Sequence, residues 1–487
     1  MYAKSLLLLG CLGLTLAADA SQVKKQDINH KEVSSDSARD SKQPQSAQSQ
    51  KNLLFAAMES ALKNNKETLA MEKDLMADHE EHVIAMSRFR PDVSANTKYQ
   101  ASGSKAWSSL KNFKAKPSRS NSRLKTYGVE VKQNLFRGGA DAAGLKEADL
   151  RIGAKQYQYE EKKQEVLDKT ATYYYAIVAK AEEIENLKVL YNSRKESIDV
   201  AEKMFEAGAA KELDVLQAKA AAAETEAKLT KAKSEYIAYC SEFEELTGYK
   251  MPFTPTGFVM LFNESISENQ AIDIALKRNP KIIRYAETLS AAKAAIKKVN
   301  TEFTPSVDAS YSFNQAYDSS TKKGNRVGDK KFNSKEHSFT IGLTLPIYDG
   351  GQERAKKRQY IDLAERAAVE KEKETENIKT QIHSEYAALR AAKQNIDSAQ
   401  EAVAMRERAL QDTQKEYKVG AKIMDDVLKA QGELCEAKSL VTQAKKEYFT
   451  AQGKLKTLIG EMNPQRLKIA DSSFDYKADF KKTSKKF

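Results

Sequence analysis

The chain has 487 residues, 30% of them charged and only 8% aromatic, with 20 Gly and 9 Pro. That length suggests two to four domains, and the richness in Ala, Glu, Lys and Leu favours long helices over compact folds. A mean hydropathy of -0.64 and the lack of any apolar run of about 18 residues argue against a helical membrane span, though not against a β-barrel, whose strands carry only a weak alternating signal. The net charge of +12 does not follow one recognition element and no zinc-finger or other nucleic-acid motif appears, so nucleic-acid binding is set aside.

Residues 1–20 read as a secretory signal peptide. Lys4 supplies the positive start, Ser5 to Leu16 the apolar core, and Ala18-Asp19-Ala20 a small-x-small cleavage site. Leu8-Leu9-Gly10-Cys11 also resembles a lipobox, although only six core residues precede Cys11. Either reading takes the chain out of the cytoplasm. Residues 21–50 are rich in Ser, Gln, Lys and Asp and are expected to be disordered.

From there the chain is one unit written twice, over 51–250 and 264–461, with an offset of 212 to 214 residues. Each unit is expected to run helix, strand, strand, long helix, helix. The first helix is predicted from about Asn52 to Phe89, ended by Pro91, which cannot continue the hydrogen-bond ladder. Asn65 near its start is matched by Asn279-Pro280. Two strands follow. Val93, Ala95, Tyr99 and Ala101 alternate with polar residues, as do Tyr127, Val129 and Val131. After Pro305 the pattern returns in Val307, Ala309, Tyr311 and Phe313, then in Phe339, Ile341, Leu343, Leu345 and Ile347. Period-2 alternation gives one apolar and one polar face. The loops joining the strands are basic, with Lys105, Lys111, Lys114, Lys116, Arg119 and Arg123 in the first. The second holds Lys322, Lys323, Arg326, Lys330 and Lys331. Such loops suit anionic lipid head groups, or solubility alone.

Gly138-Gly139 and Gly350-Gly351 turn strand into helix. The proline-free helices predicted beyond them, about Ala140 to Glu206 and Gln352 to Lys418, would each be about 100 Å long. Ile177, Ile184, Tyr191 and Ile198 recur every seven residues, as do Ile382, Leu389, Ile396, Val403 and Leu410. A sustained heptad marks a coiled-coil seam. Gly208 and Gly420 interrupt the pattern, and a shorter helix follows each, to about Leu246 and Leu458. Two shorter helices end to end match one long helix. Residues 471–487 read as a disordered basic tail. Cys240 and Cys435 lie in helical patterns at positions that the repeat does not relate; the expectation is helix packing rather than a disulfide.

Four strands cannot close a barrel, and open edges in lipid would leave unpaired backbone groups at several kcal/mol each, so the chain is expected to oligomerise. The duplicated landmarks together resemble the TolC, or outer membrane efflux protein, family over about Asn52 to Glu461. They are the Asn65 and Asn279-Pro280 positions, Pro91 and Pro305, the glycine pairs, and the Gly208 to Leu216 and Gly420 to Leu428 segments. The resemblance implies a mainly α fold with a membrane β-barrel, four strands per chain. It implies a homotrimer with a twelve-stranded barrel in the outer membrane and a twelve-helix tunnel in the periplasm. The trimer would meet an inner-membrane transporter through a periplasmic adaptor (membrane fusion) protein, for type I protein secretion or small-molecule efflux.

The resemblance also implies a gate at the periplasmic tip, in which Tyr417 and Lys422 of the second hairpin reach Asp214 of the first. Lys422 stands where an arginine is familiar and lacks its bidentate fork. Of two aspartate rings that such a pore can carry, Asp426 matches one and Lys429 reverses the charge of the other, with Asp425 as a neighbour. No catalytic constellation is evident, and no cofactor or metal is expected. His79 and His82 lack a further ligand set and read as a solvated helix face. The alternative reading is a periplasmic coiled-coil adaptor or scaffold.

Overall fold

The computed structural model describes residues 47–106, 109–110, 113–114, 118–250, 257–261, 266–301, 304–323 and 328–469. The signal peptide with Cys11, the loop residues Lys111, Lys116 and Arg326, and the 471–487 tail lie outside the described residues.

The first repeat comprises α1 (Ala47–Asn64), α2 (Lys66–Ser87), β1 (Asp92–Ala106), the short ribbon of β2 (Ser109–Leu110) and β3 (Phe113–Lys114), β4 (Ser118–Arg137), α3 (Ala140–Glu206) and α4 (Glu212–Thr247). The second comprises α5 (Glu268–Arg278), α6 (Pro280–Thr301), β5 (Ser306–Lys323), β6 (Gly328–Thr344), α7 (Gln352–Lys418) and α8 (Met424–Leu458), and a last turn, α9 (Pro464–Leu467), follows. Both long helices have 67 residues. Their starts are set by left-handed backbone at Gly138 (φ 61), Gly139 (φ 89), Gly350 (φ 73) and Gly351 (φ 89), which only glycine enters without cost.

Four expectations are corrected. The strands run further than expected, so Lys105 lies in β1, Lys114 in β3, Arg119 and Arg123 in β4, Lys322 and Lys323 in β5, and Lys330 and Lys331 in β6 rather than in the connecting loops. Helix α1 begins at Ala47, inside the segment expected to be disordered to Gln50, because Ala and Gln continue a helix readily. The single helix expected over Asn52 to Phe89 is two helices. Asn65 breaks it with extended backbone (ψ 122), and its side chain accepts the Thr68 N–H at 3.0 Å. Strand β6 stops at Thr344, so Leu345 and Ile347 lie beyond the strand; Pro346, which follows, has no N–H to give the ladder.

The four long strands form one antiparallel sheet in the order β1-β4-β5-β6. Val93 faces Val131, which faces Tyr311, which faces Phe339, so the predicted apolar residues share one face. A single irregularity, between Asn134 and Phe136, bends β4 before its glycine corner. The helices pack in the same order as their strands. α3 lies between α2 and α4 on one side and α6 and α8 on the other, and α7 packs on α6 and α8. α3 therefore buries residues along its length, whereas α7 buries only a few.

The Asn65 break has a purpose. Its amide donates to the Leu246 carbonyl in the last turn of α4 at 3.2 Å. Asn279 repeats the device, accepting the Ile282 N–H at 3.3 Å and donating to the Leu458 carbonyl at 2.7 Å. Each asparagine thus satisfies one orphan group at the start of one helix and one at the end of another, with the dipoles aligned head to tail. Gly248 (φ 63) and Gly460 (φ 75) make room at these junctions; a Cβ at Gly460 would stand 2.6 Å from the Arg278 carbonyl oxygen.

The broadest core surrounds the first junction. Leu54 and Met58 of α1 pack on Leu167, Tyr174, Tyr175 and Val178 of α3 and on Phe243. The Tyr175 hydroxyl donates to the Val259 carbonyl at 2.8 Å. Cys240 borders this core, while Cys435 packs in a separate cluster with Leu187, Leu190 and Leu229; both are free thiols.

Asp168 of α3 points its Oδ1 towards Gly453 of α8, shielded from solvent and without a hydrogen-bond partner among the described residues. Burial pushes its carboxyl up to about 6, against the smaller opposing pull of Lys454 and Thr457. An acid raised in the folded chain costs nothing below its unfolded value near 4; the penalty grows as pH rises to about 6 and persists above. Asp168→Asn is therefore expected to stabilise the protein above pH 6 by up to about 3 kcal/mol and to give no gain near pH 4. Urea midpoints of both proteins at the two pH values check this. A second comparison concerns the corners. A Cβ at Gly138 would stand 1.4 Å from the Thr304 hydroxyl, whereas one at Gly351 meets nothing. Gly351→Ala should cost only the left-handed backbone, about 1 kcal/mol, and Gly138→Ala distinctly more, read as the difference in urea midpoints.

Candidate functional site

The residues singled out for a gate lie where α3 turns into α4 and α7 turns into α8. Both turns use the same construction. Gly208 (φ 72) and Gly420 (φ 77) end the long helices. After them the Ala209 N–H donates to the Met204 carbonyl at 2.8 Å, and the Ala421 N–H to the Glu416 carbonyl at 2.9 Å. This left-handed ending satisfies the last carbonyls of each helix. At the far side of each turn a carboxylate closes the next helix. Asp214 accepts the Lys211 N–H at 3.1 Å, and Asp426 accepts the Ile423 N–H at 3.4 Å. Each carboxylate stands three positions inside its helix, where it also meets the positive end of the macrodipole.

The two hairpins meet through an apolar contact. Tyr417 packs with Val215 and Ala218 of the first hairpin and with Met424, Val427 and Leu428 of the second. Its hydroxyl is shielded from solvent and has no hydrogen-bond partner among the described residues. Burial raises the phenol above its ordinary value, and the negative charge of Asp214 adds to the rise. The structure thus sets Tyr417 against Val215, the neighbour of Asp214, within reach of the Asp214 charge but without a hydrogen bond to it. It does not bring Lys422 to Tyr417 or Asp214: Lys422 is exposed, and among the described residues no ion pair joins it to Asp214. Asp425 and Lys429 are exposed, and Asp426 is half-buried by its capping role.

Three features near the tips carried no signal in the residue pattern. Asp214 and Asp426 hold helix starts whose N-cap positions, Lys211 and Ile423, are not capping types. Above the tips, Arg194 is buried between helices, donating to the Ala221 carbonyl at 2.5 Å. Beside it the Gln431 amide donates to Ser193 at 3.0 Å and Ser197 at 3.1 Å. Finally, Leu213, Leu216, Val419 and Ile423 are exposed apolar side chains on the hairpins.

The histidines differ from the expected solvated face. His82 pairs with Asp149 of α3 at 2.6 Å, and His79 is half-buried, which lowers its affinity for a proton, with His82 adding to the effect. Among the described residues no group of three or more His, Cys, Asp or Glu stands together as a metal site, and no helix is long and apolar enough to cross a membrane.

Comparison with known proteins places this architecture. The profile of the outer membrane efflux proteins matches residues 57–248 and 271–461, most of the chain and both repeats. The chain belongs to that family. Among curated proteins it is 23% identical to the outer membrane efflux protein BepC of Brucella suis over 443 residues, 89% of this chain and 91% of that one. It is 22% identical to the alkaline protease secretion protein AprF of Pseudomonas aeruginosa, over 65% of this chain and 66% of that one. Among solved structures, the CmeC outer membrane channel of Campylobacter jejuni shares the fold with a TM-score of 0.69 at 19% identity, covering 94% of this chain and 98% of that one. The protein is therefore an outer-membrane export channel subunit of TolC-like fold, and its family consists of channels rather than enzymes. Nothing supports the periplasmic adaptor or scaffold alternative.

The capping geometry separates two roles of the tip aspartates. Asp214→Ala removes both cap and charge and is expected to destabilise by about 1 kcal/mol. Asp214→Asn keeps an acceptor and should lose well under half of that. Urea midpoints at pH 7 decide, and equal losses in both variants would show that the cap contributes nothing.

Proposed function

We propose that three copies of this chain close a twelve-stranded barrel in the outer membrane above a twelve-helix periplasmic tunnel, gated at the hairpin tips. The observation that carries this is the match between two open flanks. Among the described residues, β1 and β6 each pair on one side only. The helical layer is open on the same two sides, beside α2 and α4 and beside α7. A second copy set against the first satisfies both at once. Three copies of four strands and of four helical columns complete the ring. Half-buried Leu389, Ile396, Val403 and Leu410 then find the neighbour their heptad requires.

At the tip, Tyr417, Asp214 and Lys422 form the latch of the closed state. The Tyr417 hydroxyl, buried beside Asp214 with no partner in its own chain among the described residues, finds its partner across the assembled gate. Asp426 sets a ring of negative potential that favours cations, Lys429 offsets it, and Asp425 lies at the same mouth. The exposed Leu213, Leu216, Val419 and Ile423 give the tips an apolar fringe for a periplasmic adaptor, which joins the channel to an inner-membrane transporter. The channel is a passive conduit and the transporter selects the cargo. A secreted protein and a small molecule are both within its reach; the relatives include a protease secretion protein, AprF, and an efflux protein, BepC.

Planar-bilayer conductance of the detergent-extracted protein, with its mass in detergent, tests the assembly. Long-lived openings from a species of three chains are expected; a water-soluble monomer without conductance would refute the barrel. Tyr417→Phe should raise the open fraction while shifting folding stability by less than about 1 kcal/mol, because no bond is lost within the chain. Asp426→Asn should move the reversal potential in a salt gradient towards zero, and Lys429→Gln away from it. An unchanged reversal potential in both would remove the two residues from the pore.

A further inference from the structure

On the apolar face of the sheet, successive cross-strand rows change character in one direction. The row of Val131, Tyr311 and Phe339 is followed by that of Val129, Phe313 and His337. Tyr127 comes next, and then Tyr99 and Tyr317 on either side of Lys125. Tyr127 and Tyr317 meet edge to face with ring centres 6.3 Å apart. One row further, Arg123 and Lys331 flank Ser319. Within a few rows the surface passes from rows dominated by Val, Phe and Tyr to one in which two cations flank a serine, with Lys335 in the Tyr127 row. That is the order of environments from the hydrocarbon core to the head groups of a bilayer, with tyrosine at the interface.

The cations lie at the end of the strands remote from the helices, beyond which come the β1–β4 and β5–β6 connections. In an outer-membrane channel whose helices occupy the periplasm, that end faces the outer leaflet. Arg123 and Lys331 stand two strand spacings apart, about 10 Å, with Lys125 a row below them. All three are exposed. Among the described residues no carboxylate forms an ion pair with any of them. Asp318, which borders the same groove of about 1040 Å³, is held from the other face by the Ser122 hydroxyl at 2.8 Å. The groove therefore presents uncompensated positive charge above an apolar band. Lys105, Arg119 and Lys335 add basic positions to the same face.

We propose that Arg123, Lys125 and Lys331, framed by Tyr99, Tyr127 and Tyr317, bind the phosphate of an anionic glycolipid in the outer leaflet. The guanidinium supplies a bidentate contact, the ammonium groups flank it, and the tyrosines pack on the sugar and the upper acyl chains. The inference rests on the barrel reading above and adds a lipid to it that is selected by its charge.

Native mass spectrometry of the full chain in detergent, with bisphosphorylated lipid A, its dephosphorylated counterpart and inorganic phosphate as probes, tests it. The wild type should bind the phosphorylated lipid at least about tenfold more tightly than the dephosphorylated one. The triple variant Arg123→Gln, Lys125→Gln, Lys331→Gln should lose that preference. Lys330→Gln, whose register puts it on the opposite face, should keep it. Equal preference in the triple variant and the wild type would overturn the assignment. Inorganic phosphate competing at the affinity of the lipid would reassign the cluster to a free anion and overturn it equally. Conductance of the same preparations keeps the two failures distinct. A triple variant that conducts but has lost the preference supports the site, whereas a wild type that neither conducts nor needs detergent overturns the barrel and the lipid site together.

Discussion

Two rows of peptide groups that are unpaired among the described residues, one along β1 and one along β6, govern what this chain can be. In water they would be solvated at little cost; in lipid each carries a penalty of several kcal/mol. In the assembly proposed above, the strands commit the chain to partners before any side chain is considered. The helices obey the same constraint by a different route. Their columns follow the order of the strands, so the flank left open in the sheet is also the flank left open in the helical layer. One surface of contact serves both, and membrane insertion and assembly become a single problem for the chain.

The asparagine junctions supply the second principle. A short helix ending in solvent leaves its last carbonyls to water, and one beginning there leaves its first N–H groups. By bridging the two, Asn65 and Asn279 turn broken columns into nearly continuous ones without a covalent link. The broad core of α1, α3 and Phe243 gathers around the first of these breaks, where the column would otherwise be weakest.

Much of this was legible in the residues, for identifiable reasons. The long helices were bounded at Ala140 and Glu206, and at Gln352 and Lys418, because glycine pairs and single glycines have few other uses between periodic segments. The sheet was legible because alternation and a repeat offset reinforced each other. The break at Asn65 was not, since an asparagine inside a helical pattern is a weak signal without the proline that follows Asn279. At the tips, the positions of Asp214, Tyr417 and Asp426 came from resemblance to a family. Their local chemistry did not, because a capping carboxylate is indistinguishable in sequence from any acidic residue in a first turn. The buried Arg194 and Gln431 were hidden for a related reason: a polar residue on a charged helix announces its burial only when its neighbours are known.

The equal length of α3 and α7 has a consequence of its own. Each long helix is shadowed by two short ones whose meeting point is pinned by a side chain and a glycine. A single inserted residue would rotate everything beyond it by about 100° and carry the seam away from its partner. Only insertions of about seven residues keep the seam, and they would have to appear at matching heights in α4 or α2, in α7, and in α8 or α6. The proposed duct would therefore behave as a gauge: its reach across the envelope could change during descent only in coarse, coordinated steps, while the strand-joining loops vary freely.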